Sequence, residues 1–300
     1  MIYSACFDIG GTYIKYGVVT GEGEILLAGK METPLDHAQT SIPEMIDEKI
    51  QFFKQHYLIG NIGISSCGLV DHQEGKVIFS SNIKGYSGLK LAEVLHKKTG
   101  LSVSVENDVR SACLGEMWLG AASGKQEVVL LTLGTGIGGA VVINGKLMRG
   151  SANLAGELGH MSIMHNGESC PCGGAGCLER YASTSALVRF YKGLSGQELS
   201  GKEMMDLVHK NDLLALEAYD LFLEHLVTGL VNIAHLYNPE IIIIGGGITE
   251  QGEVFLKDIL EKYDKKVMQV YKQSTKLVLA QLHNDAALCG AYVAANQLIK

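Results

Sequence analysis

The sequence predicts an α/β protein built as two related halves. Strand-like segments alternate with helix-like segments along the chain. FDIGGTYIKYGVV (from Phe7) and TLGTGIGGAVVIN (from Thr132) are alike, because in each a strand ends in a glycine turn and doubles back as a second strand. The chain has 300 residues, enough for two domains of ordinary size with a core each. We therefore expect a duplicated α/β unit, with the functional site between the halves.

The first half begins with three strand-like segments joined by glycine turns, YSACFDIG, YIKYGVVT and EILLAGKME. The next segment, SIPEMIDEKIQFFKQHY, carries apolar residues at helical spacing. A short buried strand, NIGISS, a helix around GLKLAEVLHKK and a strand, SVSVEN, then lead into DVRSACLGEMW, which favours a helix. The predicted order is three strands, then helix, strand, helix, strand.

A similar series restarts near Val128. EVVLLTL, GGAVVIN and KLMRG are strand-like, and long helices follow, notably Asp212 to Tyr237. The strand EIIIIGG, a helix, the strand KLVLAQ and a last helix from Asp285 complete the chain. We place the domain change near Gly115. This predicts a small N-terminal domain, 1–115, completed by the C-terminal helix at about 285–300, and a large domain, 116–284.

Composition and charge argue against several classes of protein. The 25 basic and 32 acidic residues give a formal charge of -7, so no broad basic surface for nucleic acid is expected. The N-terminal MIYSACFDIGG lacks the basic and then apolar regions of a signal peptide. The densest apolar run, Ile241 to Ile248, is far shorter than the ~20 residues of a membrane span. We expect a cytoplasmic protein with no membrane partner, whose thiols stay reduced.

Three glycine-rich turns are candidates for phosphate binding. DIGGTYIK places two glycines, a hydroxyl and a lysine in a hairpin turn, where backbone N–H groups can cradle an anion. LGTGIGGA repeats this arrangement, and GGG at Gly245 to Gly247 ends a buried strand. Each could be merely a tight turn, but three turns that each follow an apolar strand favour phosphate binding. The candidate contacts are Asp8, Gly10, Gly11, Thr12, Lys15, Gly134, Thr135, Gly136 and Gly246.

Two common nucleotide-binding motifs do not account for these turns. GTGIGG, from Gly134 to Gly139, formally matches the dinucleotide fingerprint, but that motif opens a helix and here AVVING continues as a strand. The sequence also contains no P-loop motif. Glycine-rich hairpins from two halves of a duplicated fold, facing each other across a cleft, are instead the arrangement of actin-like and sugar-kinase ATPases.

Asn107 and Asp108 stand where the strand SVSVEN ends and a helix is predicted to begin. Both residue types are preferred as N-caps, and they could serve only that purpose. A carboxylate at the mouth of a cleft between phosphate-binding loops can also accept a proton from an attacking hydroxyl. The two roles are compatible.

A cysteine cluster lies in GHMSIMHNGESCPCGGAGC, from Gly159 to Cys177. A disulfide, a metal site and a chance cluster are the alternatives, and reduced thiols together with an odd total of seven cysteines argue against the disulfide. Three thiolates and one imidazole form the closed ligand set of a structural zinc site. The C-x-C-x4-C spacing therefore favours a metal. His165 is nearer Cys170 in sequence, although such a site would be cramped, and His160 is the alternative.

FDIGGTYIK, LGTGIGGAVVINGKLMRGSANLAGELGH and CPCGGAGCLE together resemble the ROK family of repressors, open reading frames and kinases. The similarity runs from Phe7 to AALCGAYVAA near the C-terminus. It implies the duplicated actin-like ATPase (ribonuclease H-like) fold, with Asp108 as catalytic base. The resemblance implies sugar contacts by Asn107, Glu157, His160 and Glu179, with which we place Gly68 and Asn82. It also implies zinc binding by His160, Cys170, Cys172 and Cys177.

The resemblance predicts an ATP-dependent kinase that phosphorylates the 6-hydroxyl of a hexose or hexose derivative. Mg²⁺ is expected to be held through water by Asp8, zinc to be structural, and the protein to be a homodimer. SSNIKGYSG, from Ser80, departs from many relatives, which have a proline after the first serine, so its effect on specificity is open. Glucose, N-acetylmannosamine, fructose and β-glucosides remain alternative substrates.

Three other functions fit the sequence less well. A ROK repressor would carry an additional DNA-binding segment before the first strand, whereas here the first strand is expected from residue 2. A non-catalytic sugar-binding module would be expected to lose the base at Asp108. A phosphohydrolase of the same fold would lack the zinc loop and the sugar-binding carboxylates. We therefore favour the kinase.

Overall fold

The computed structural model of the protein describes residues 2–299 and divides them into two compact units. The first unit contains the chain up to Gly124, the segment Gly145–Ala155 and the chain from Gln281 on. The second contains Lys125–Asn144 and Gly156–Ala280. The domain ranges inferred from the sequence, 1–115 with about 285–300 and 116–284, remain predictions. Their end residues, 1 and 300, lie outside the described part of the chain.

The elements follow in chain order. The strands are β1 (Tyr3–Ile9), β2 (Tyr13–Val19), β3 (Ile25–Glu32), β4 (Ile59–Ser66), β5 (Leu69–Asp71), β6 (Lys76–Phe79), β7 (Ser102–Asn107), β8 (Val128–Leu133), β9 (Ile137–Ile143), β10 (Lys146–Leu147), β11 (Ile241–Gly245) and β12 (Lys276–Leu279). The helices are α1 (Ala38–Lys54), α2 (Leu91–Thr99), α3 (Asp108–Leu119), α4 (Glu179–Ala182), α5 (Thr184–Ser195), α6 (Gly201–His209), α7 (Leu213–Tyr237), α8 (Glu253–Lys266), α9 (Tyr271–Ser274) and α10 (Ala286–Asn296).

The sheet of the first unit has the strand order β3-β2-β1-β4-β7. β1 is antiparallel to β2 and parallel to β4, which is itself parallel to β7. In this register Ile9 pairs with Ser66, and Ser66 pairs with Asn107. The carboxyl ends of three parallel strands therefore meet at one edge of the sheet, which is where ligands bind in open α/β sheets.

Apolar side chains cover both faces of this sheet. On one face Phe7, Phe53 and Ile62 are fully buried in a large cluster that includes α1. On the other face Cys6 and Val19 are buried with Leu288 and Ala291 of α10. A Cβ added to Gly290 would lie 1.7 Å from the carbonyl oxygen of Ser111, so α10 and α3 approach at backbone distance. The last helix of the chain thus completes the first unit.

The second unit repeats part of this arrangement. Its strands are ordered β9-β8-β11-β12, with β8 antiparallel to β9 and parallel to β11, which is parallel to β12. The order matches β2-β1-β4-β7 of the first unit, as a duplication requires. The mixed α/β architecture predicted from the sequence is confirmed.

Two details differ from the sequence-based prediction. β5 and β6 form an antiparallel hairpin that the sequence analysis missed, because both strands are too short to show alternation clearly. KLMRG was predicted as a strand, but only Lys146 and Leu147 are extended in β10, and Gly150 adopts a φ of 69° soon afterwards. Within residues 2–299, no helix is both long enough and apolar enough to cross a bilayer.

Candidate active site

Asp8 lies near the carboxyl end of β1, at the edge where the parallel strands of the first unit meet. Its Oδ1 accepts a hydrogen bond of 2.8 Å from Ser65 Oγ, and Lys15 Nζ is 3.9 Å from its Oδ2. Lys15 also donates to Asn284 Oδ1 at 3.2 Å. Burial raises the pKa of Asp8, while the Ser65 hydrogen bond and the Lys15 charge act in the opposite direction. The site therefore holds a carboxylate that a metal cation would stabilise.

Asn107 joins the neighbouring strand end to α3. Its Oδ1 accepts hydrogen bonds from the backbone N–H groups of Val109 and Arg110, so it is the N-cap of the helix. Its Nδ2 donates to Asp108 Oδ1 at 2.8 Å and to the carbonyl of Gly68 at 3.0 Å. The Asn107 side chain therefore both caps α3 and orients Asp108.

Asp108 is the first residue of α3 and is half-buried. Its pKa is raised to about 7, chiefly by burial and then by the negative charge of Asp8. The backbone N–H of Val109, 2.9 Å from Oδ1, and the Asn107 amide favour the charged form but do not offset these effects. A general base works best when its pKa is near the working pH, and Asp108 meets that condition at neutral pH.

The turn from Gly10 to Thr12 lies at the same edge of the sheet. Thr33 Oγ1 donates to the Gly10 carbonyl at 2.7 Å, and the Thr33 N–H donates to the Thr12 carbonyl at 3.0 Å, so the residue that follows β3 holds the turn by its carbonyl groups. Gly11 and Thr12 are exposed. A Cβ on Gly11 would meet Asn82 Cβ at 3.3 Å, so Asn82 packs against the turn. The structure therefore brings Asn82 to the predicted phosphate contacts of the first unit.

The second unit carries the other glycine turn, Gly134 to Gly136. The Gly134 N–H donates to the Gly136 carbonyl at 2.9 Å, and Glu179 Oε2 accepts the N–H of Ile137 at 2.9 Å. A Cβ on Gly136 would lie 2.2 Å from Glu179 Oε2, so this carboxylate rests directly against the turn. Glu179, predicted as a sugar contact, and the predicted phosphate contacts Gly134, Thr135 and Gly136 are thus neighbours.

Gly246 follows β11 and has a φ of 98°. A Cβ there would lie 2.2 Å from the carbonyl oxygen of Leu133, the residue that precedes the Gly134 turn. Both the backbone conformation and the close approach require glycine. This packing is a structural reason for Gly246 that the sequence analysis did not identify.

In the second unit, Glu157 directly precedes the single-turn helix Leu158–His160 and His160 ends it, and both residues are exposed. The His160 side chain belongs to a cluster with three cysteines, whose ligand atoms all lie within 4.8 Å of one another: His160, Cys170, Cys172 and Cys177. His160 Nδ1 is 3.6 Å from Cys170 Sγ, and Cys172 Sγ is 3.6 Å from Cys177 Sγ. Of the two histidines considered from the sequence, His160 is the one in the cluster.

The donor set fits a tetrahedral zinc ion. With Zn–S bonds of about 2.3 Å, two sulfur ligands of a tetrahedron lie about 3.8 Å apart, close to the separation found between Cys172 and Cys177. All seven cysteines of the chain are free thiols, so the three in this loop are available as ligands. A structural zinc would therefore need little rearrangement of the loop.

Glu168 connects this loop to the helices that follow it. Its carboxylate pairs with Arg180 at 3.3 Å and with Arg189 at 3.0 Å, and its N–H donates to Tyr181 Oη at 2.6 Å. Arg189 also donates to the carbonyl of Arg180. The sequence analysis missed Glu168 and its partners, because ion pairs between a loop and the next helix leave no spacing pattern. The bracing favours a loop that is preformed before metal binds.

Comparisons with known proteins agree with this geometry. A family model described as the ROK family matches residues 4–298. The chain is 35% identical over 298 residues to a glucokinase of Thermotoga maritima, with 95% of this chain and 94% of that protein covered. It is also 32% identical to a xylose repressor of Bacillus spizizenii, where 96% of this chain but 75% of the repressor is covered.

A solved structure extends the similarity to three dimensions. The chain resembles a ROK family glucokinase from Streptomyces griseus in complex with glucose and AMPPNP, with a TM-score of 0.82 and 32% identity. The match covers 98% of this chain and 99% of the glucokinase. The duplicated actin-like ATPase fold predicted from the sequence is thereby confirmed.

Proposed function

The chain belongs to the ROK family, and we propose that it is an ATP-dependent kinase acting on the 6-hydroxyl of a hexose or hexose derivative. The observation that carries the proposal is the environment of Asp108. Its pKa of about 7 suits a general base, and Asn107 orients it at the strand edge that also bears Asp8. Similarity to glucokinases across almost the whole chain supports this assignment.

In the proposed reaction, the oxygen of the sugar 6-hydroxyl attacks the γ-phosphorus of ATP. The bond from that phosphorus to the β–γ bridging oxygen breaks, ADP leaves, and Asp108 takes the hydroxyl proton. Because such transition states are loose, positioning and charge neutralisation matter more than the strength of the base. Asn107 contributes by fixing the direction of the Asp108 carboxylate.

Phosphate binding is assigned to the turns at Gly10–Thr12 and Gly134–Gly136, in which Gly11, Thr12 and Thr135 are exposed, with Lys15 as an additional cation. Asp8 is proposed to hold Mg²⁺ through water. When bound, Mg²⁺ would neutralise the β- and γ-phosphates. Ser65 fixes the Asp8 carboxylate for this role, since it bonds Oδ1 and leaves Oδ2 to face Lys15.

Sugar recognition is proposed for the polar side chains implied by the resemblance. These are Asn82 and Asn107, together with Glu157, His160 and Glu179, and the backbone at Gly68. Carboxylates, amides and an imidazole can bond several hydroxyls in fixed directions, which is how polar sites discriminate among sugars.

A structural zinc ion is proposed at His160, Cys170, Cys172 and Cys177. When bound, zinc would cross-link the loop and fix the His160 ring. The ring nitrogen that does not ligate the metal is then free to bond a sugar hydroxyl, since a histidine has two distinct nitrogens.

A sugar-binding protein without kinase activity is the second candidate, because the chain also matches a xylose repressor. Both functions require a sugar site, but only a kinase requires a base. The environment of Asp108 therefore favours the kinase. A homodimer, expected from the resemblance, is checked by light scattering coupled to gel filtration.

The decisive experiment is a panel assay of purified protein with ATP and Mg²⁺. Glucose, N-acetylmannosamine, fructose and a β-glucoside are tested for sugar-dependent ADP release, and ³¹P NMR identifies the phosphorylated oxygen. 6-Deoxyglucose is the matched control, since it lacks the proposed acceptor. The proposal fails if no sugar stimulates ADP release although calorimetry detects sugar binding, which is the result expected of a non-catalytic sensor.

A further inference from the structure

Glu106 has a carboxylate that is entirely buried, with 0% of the side chain exposed. It lies in β7, directly before Asn107. Removing an ionised carboxylate from water is costly unless cations and hydrogen bonds compensate for the lost hydration. The surroundings of Glu106 supply both.

Two arginines of the first unit contact this carboxylate. Arg149 Nη1 lies 2.6 Å from Glu106 Oε2, and Arg110 Nη1 lies 3.8 Å from Oε1. His72 Nδ1 is 3.4 Å from Oε2. Arg110 is itself buried, with 4% exposed, so the Glu106 and Arg110 charges lie out of water. We call Glu106, Arg110 and Arg149 the buried charge cluster.

The buried charge cluster is bonded directly to the proposed catalytic junction. Glu106 Oε1 accepts the backbone N–H of Asn107 at 3.0 Å. The Asn107 side chain in turn donates to Asp108 Oδ1 at 2.8 Å. If the Glu106 carboxylate moved, the Asn107 backbone bonded to it would move as well, and the Asn107 amide would then shift Asp108, the proposed base.

The cluster also holds the segment from Arg149 to Ala155. The Arg110 guanidinium donates to the carbonyls of Asn153 at 2.9 Å and Ala155 at 2.7 Å. The Ala155 N–H closes the segment by donating to the Arg149 carbonyl at 3.1 Å. Asn153 Nδ2 donates to Asp71 Oδ1 at 3.2 Å. Glu106 thus fixes this segment from both ends, through Arg149 and through Arg110.

We propose that the buried charge cluster is a set of positioning residues that fixes Asn107 and Asp108 for phosphoryl transfer. This inference rests on the proposed function. Stability alone does not require such a cluster, because apolar residues of similar volume often replace buried ion pairs without loss. The hydrogen bond from the Asn107 N–H to Glu106 indicates a role other than stability, because it allows the charged groups to orient the proposed base.

The test compares two variants that remove a cation of similar exposure. Arg149→Met removes the cation that lies 2.6 Å from Glu106, and the Arg149 side chain is 23% exposed. Lys262→Met is the control, since Lys262 is 21% exposed and pairs with Asp220 and Glu224 on α7 of the second unit. Arg149→Lys is the conservative variant. Melting temperature, kcat, and the KM values for ATP and sugar are measured for each, well below the lowest melting temperature.

We expect Arg149→Met to lower kcat by ~10², the loss typical of a misplacement of about 1 Å, with the KM for ATP within about twofold of wild type. Arg149→Lys should recover ~10-fold of that loss, because its ammonium still pairs with Glu106. Lys262→Met should lower the melting temperature but keep kcat within about twofold.

A kcat within about twofold of wild type in Arg149→Met overturns the inference, as do equal kcat losses in Arg149→Met and Lys262→Met. If Arg149→Met does not fold, the double variant Glu106→Gln with Arg149→Met removes the unpaired buried charge. In that variant, recovered folding with a persistent kcat loss supports positioning, and recovered kcat overturns it. Wild-type turnover is measured first. Its absence overturns the proposed function together with this inference, whereas an active wild type and an equally active Arg149→Met overturn the inference alone.

Discussion

The glycine turns of the two units occupy the same place in the duplicated fold but carry different chemistry. In the first hairpin Asp8 pairs across the strands with Lys15, whereas in the second Thr132 pairs with Gly138. The strands of the first hairpin therefore bring charged side chains to its turn, whereas the strands of the second bring uncharged groups, and the carboxylate at the second turn, Glu179, comes from outside the hairpin. Duplication thus repeats the backbone geometry, while the side chains at the two turns differ in charge and chemistry. Changes in the first unit should affect the chemical step, and changes in the second should affect binding.

The largest expected effect concerns the proposed base in the first unit. Asp108→Asn should lower kcat by at least ~10² while the Kd values for ATP and sugar stay near wild type. The fold is preserved because an asparagine oxygen can still accept the hydrogen bonds that Val109 and Asn107 donate to Oδ1. Steady-state kinetics and calorimetry measure the two quantities. Near-normal turnover in this variant would show that Asp108 is not the general base.

The second effect concerns the metal loop of the second unit. Cys172→Ser, or exhaustive chelation, should weaken sugar binding by ~1–3 kcal/mol, the range for a polar group that loses its partner. ATP binding should be nearly unchanged, since the predicted phosphate contacts do not include the loop. Calorimetry measures both affinities, and elemental analysis should find about one zinc per chain. Cys289→Ala, which changes a buried thiol outside the cluster, is the control.

The contradicting outcomes for the metal loop are specific. Active wild-type enzyme without zinc would exclude a structural zinc ion. Loss of ATP binding with intact sugar binding after chelation would show that the loop serves the nucleotide instead.

A smaller effect is expected at the second glycine turn. A Cβ on Gly134 would have no neighbour nearer than the Gly136 carbonyl oxygen at 4.0 Å, so Gly134→Ala should fold normally. The added methyl should hinder close approach of phosphate and weaken ATP binding by ~10-fold, with sugar affinity within about twofold. Gly136→Ala is the comparison, since its methyl would press on Glu179 and should weaken sugar binding as well. Equal losses for both ligands in Gly134→Ala would indicate misfolding.

The smallest effect is on stability as a function of pH. The pKa of Asp108 is raised from 3.8 to about 7 in the folded protein, so between these values the folded state binds the proton that the unfolded state has lost. The folded state therefore loses stability as pH rises from about 4 to about 7. Asp108→Asn removes this loss, so its gain in unfolding free energy should be larger at pH 8 than at pH 5. Urea unfolding at both pH values measures it, and an equal gain at both would contradict the raised pKa.

The sequence predicted most of the fold because its main elements carry strong local patterns. SVSVEN alternates, and DVRSACLGEMW follows it with a helix whose N-cap is Asn107, as expected from the residue type. β5 and β6 were missed because strands of three and four residues are too short for periodicity to show. The cysteine spacing indicated a cluster, the family resemblance indicated His160 as its histidine, and the structure places His160 beside the three cysteines.

The buried charges were not predictable in the same way. The alternation in SVSVEN places Glu106 on the same side of the strand as Ser102 and Ser104, which suggests a solvent-exposed residue. Glu106 is nevertheless fully buried, and one of the side chains that contact it, Arg149, comes 43 positions later in the chain. Similarly, Ser65 becomes a partner of Asp8 only when β4 pairs with β1. Contacts of this kind depend on tertiary packing and leave no local signal.

The packing of α10 against the first unit sets the order in which the nascent chain can finish folding on the ribosome. Cys6 and Val19 are synthesised early, yet Leu288 and Ala291, which complete their cluster, emerge last. All residues of the second unit precede Gln281, so that unit can complete its core before the first unit does. Until α10 is synthesised, one apolar face of the first sheet is uncovered and open to chaperones or to aggregation. Translation that stops before residue 286 therefore leaves the first unit incomplete, whereas every residue of the second unit has already been made.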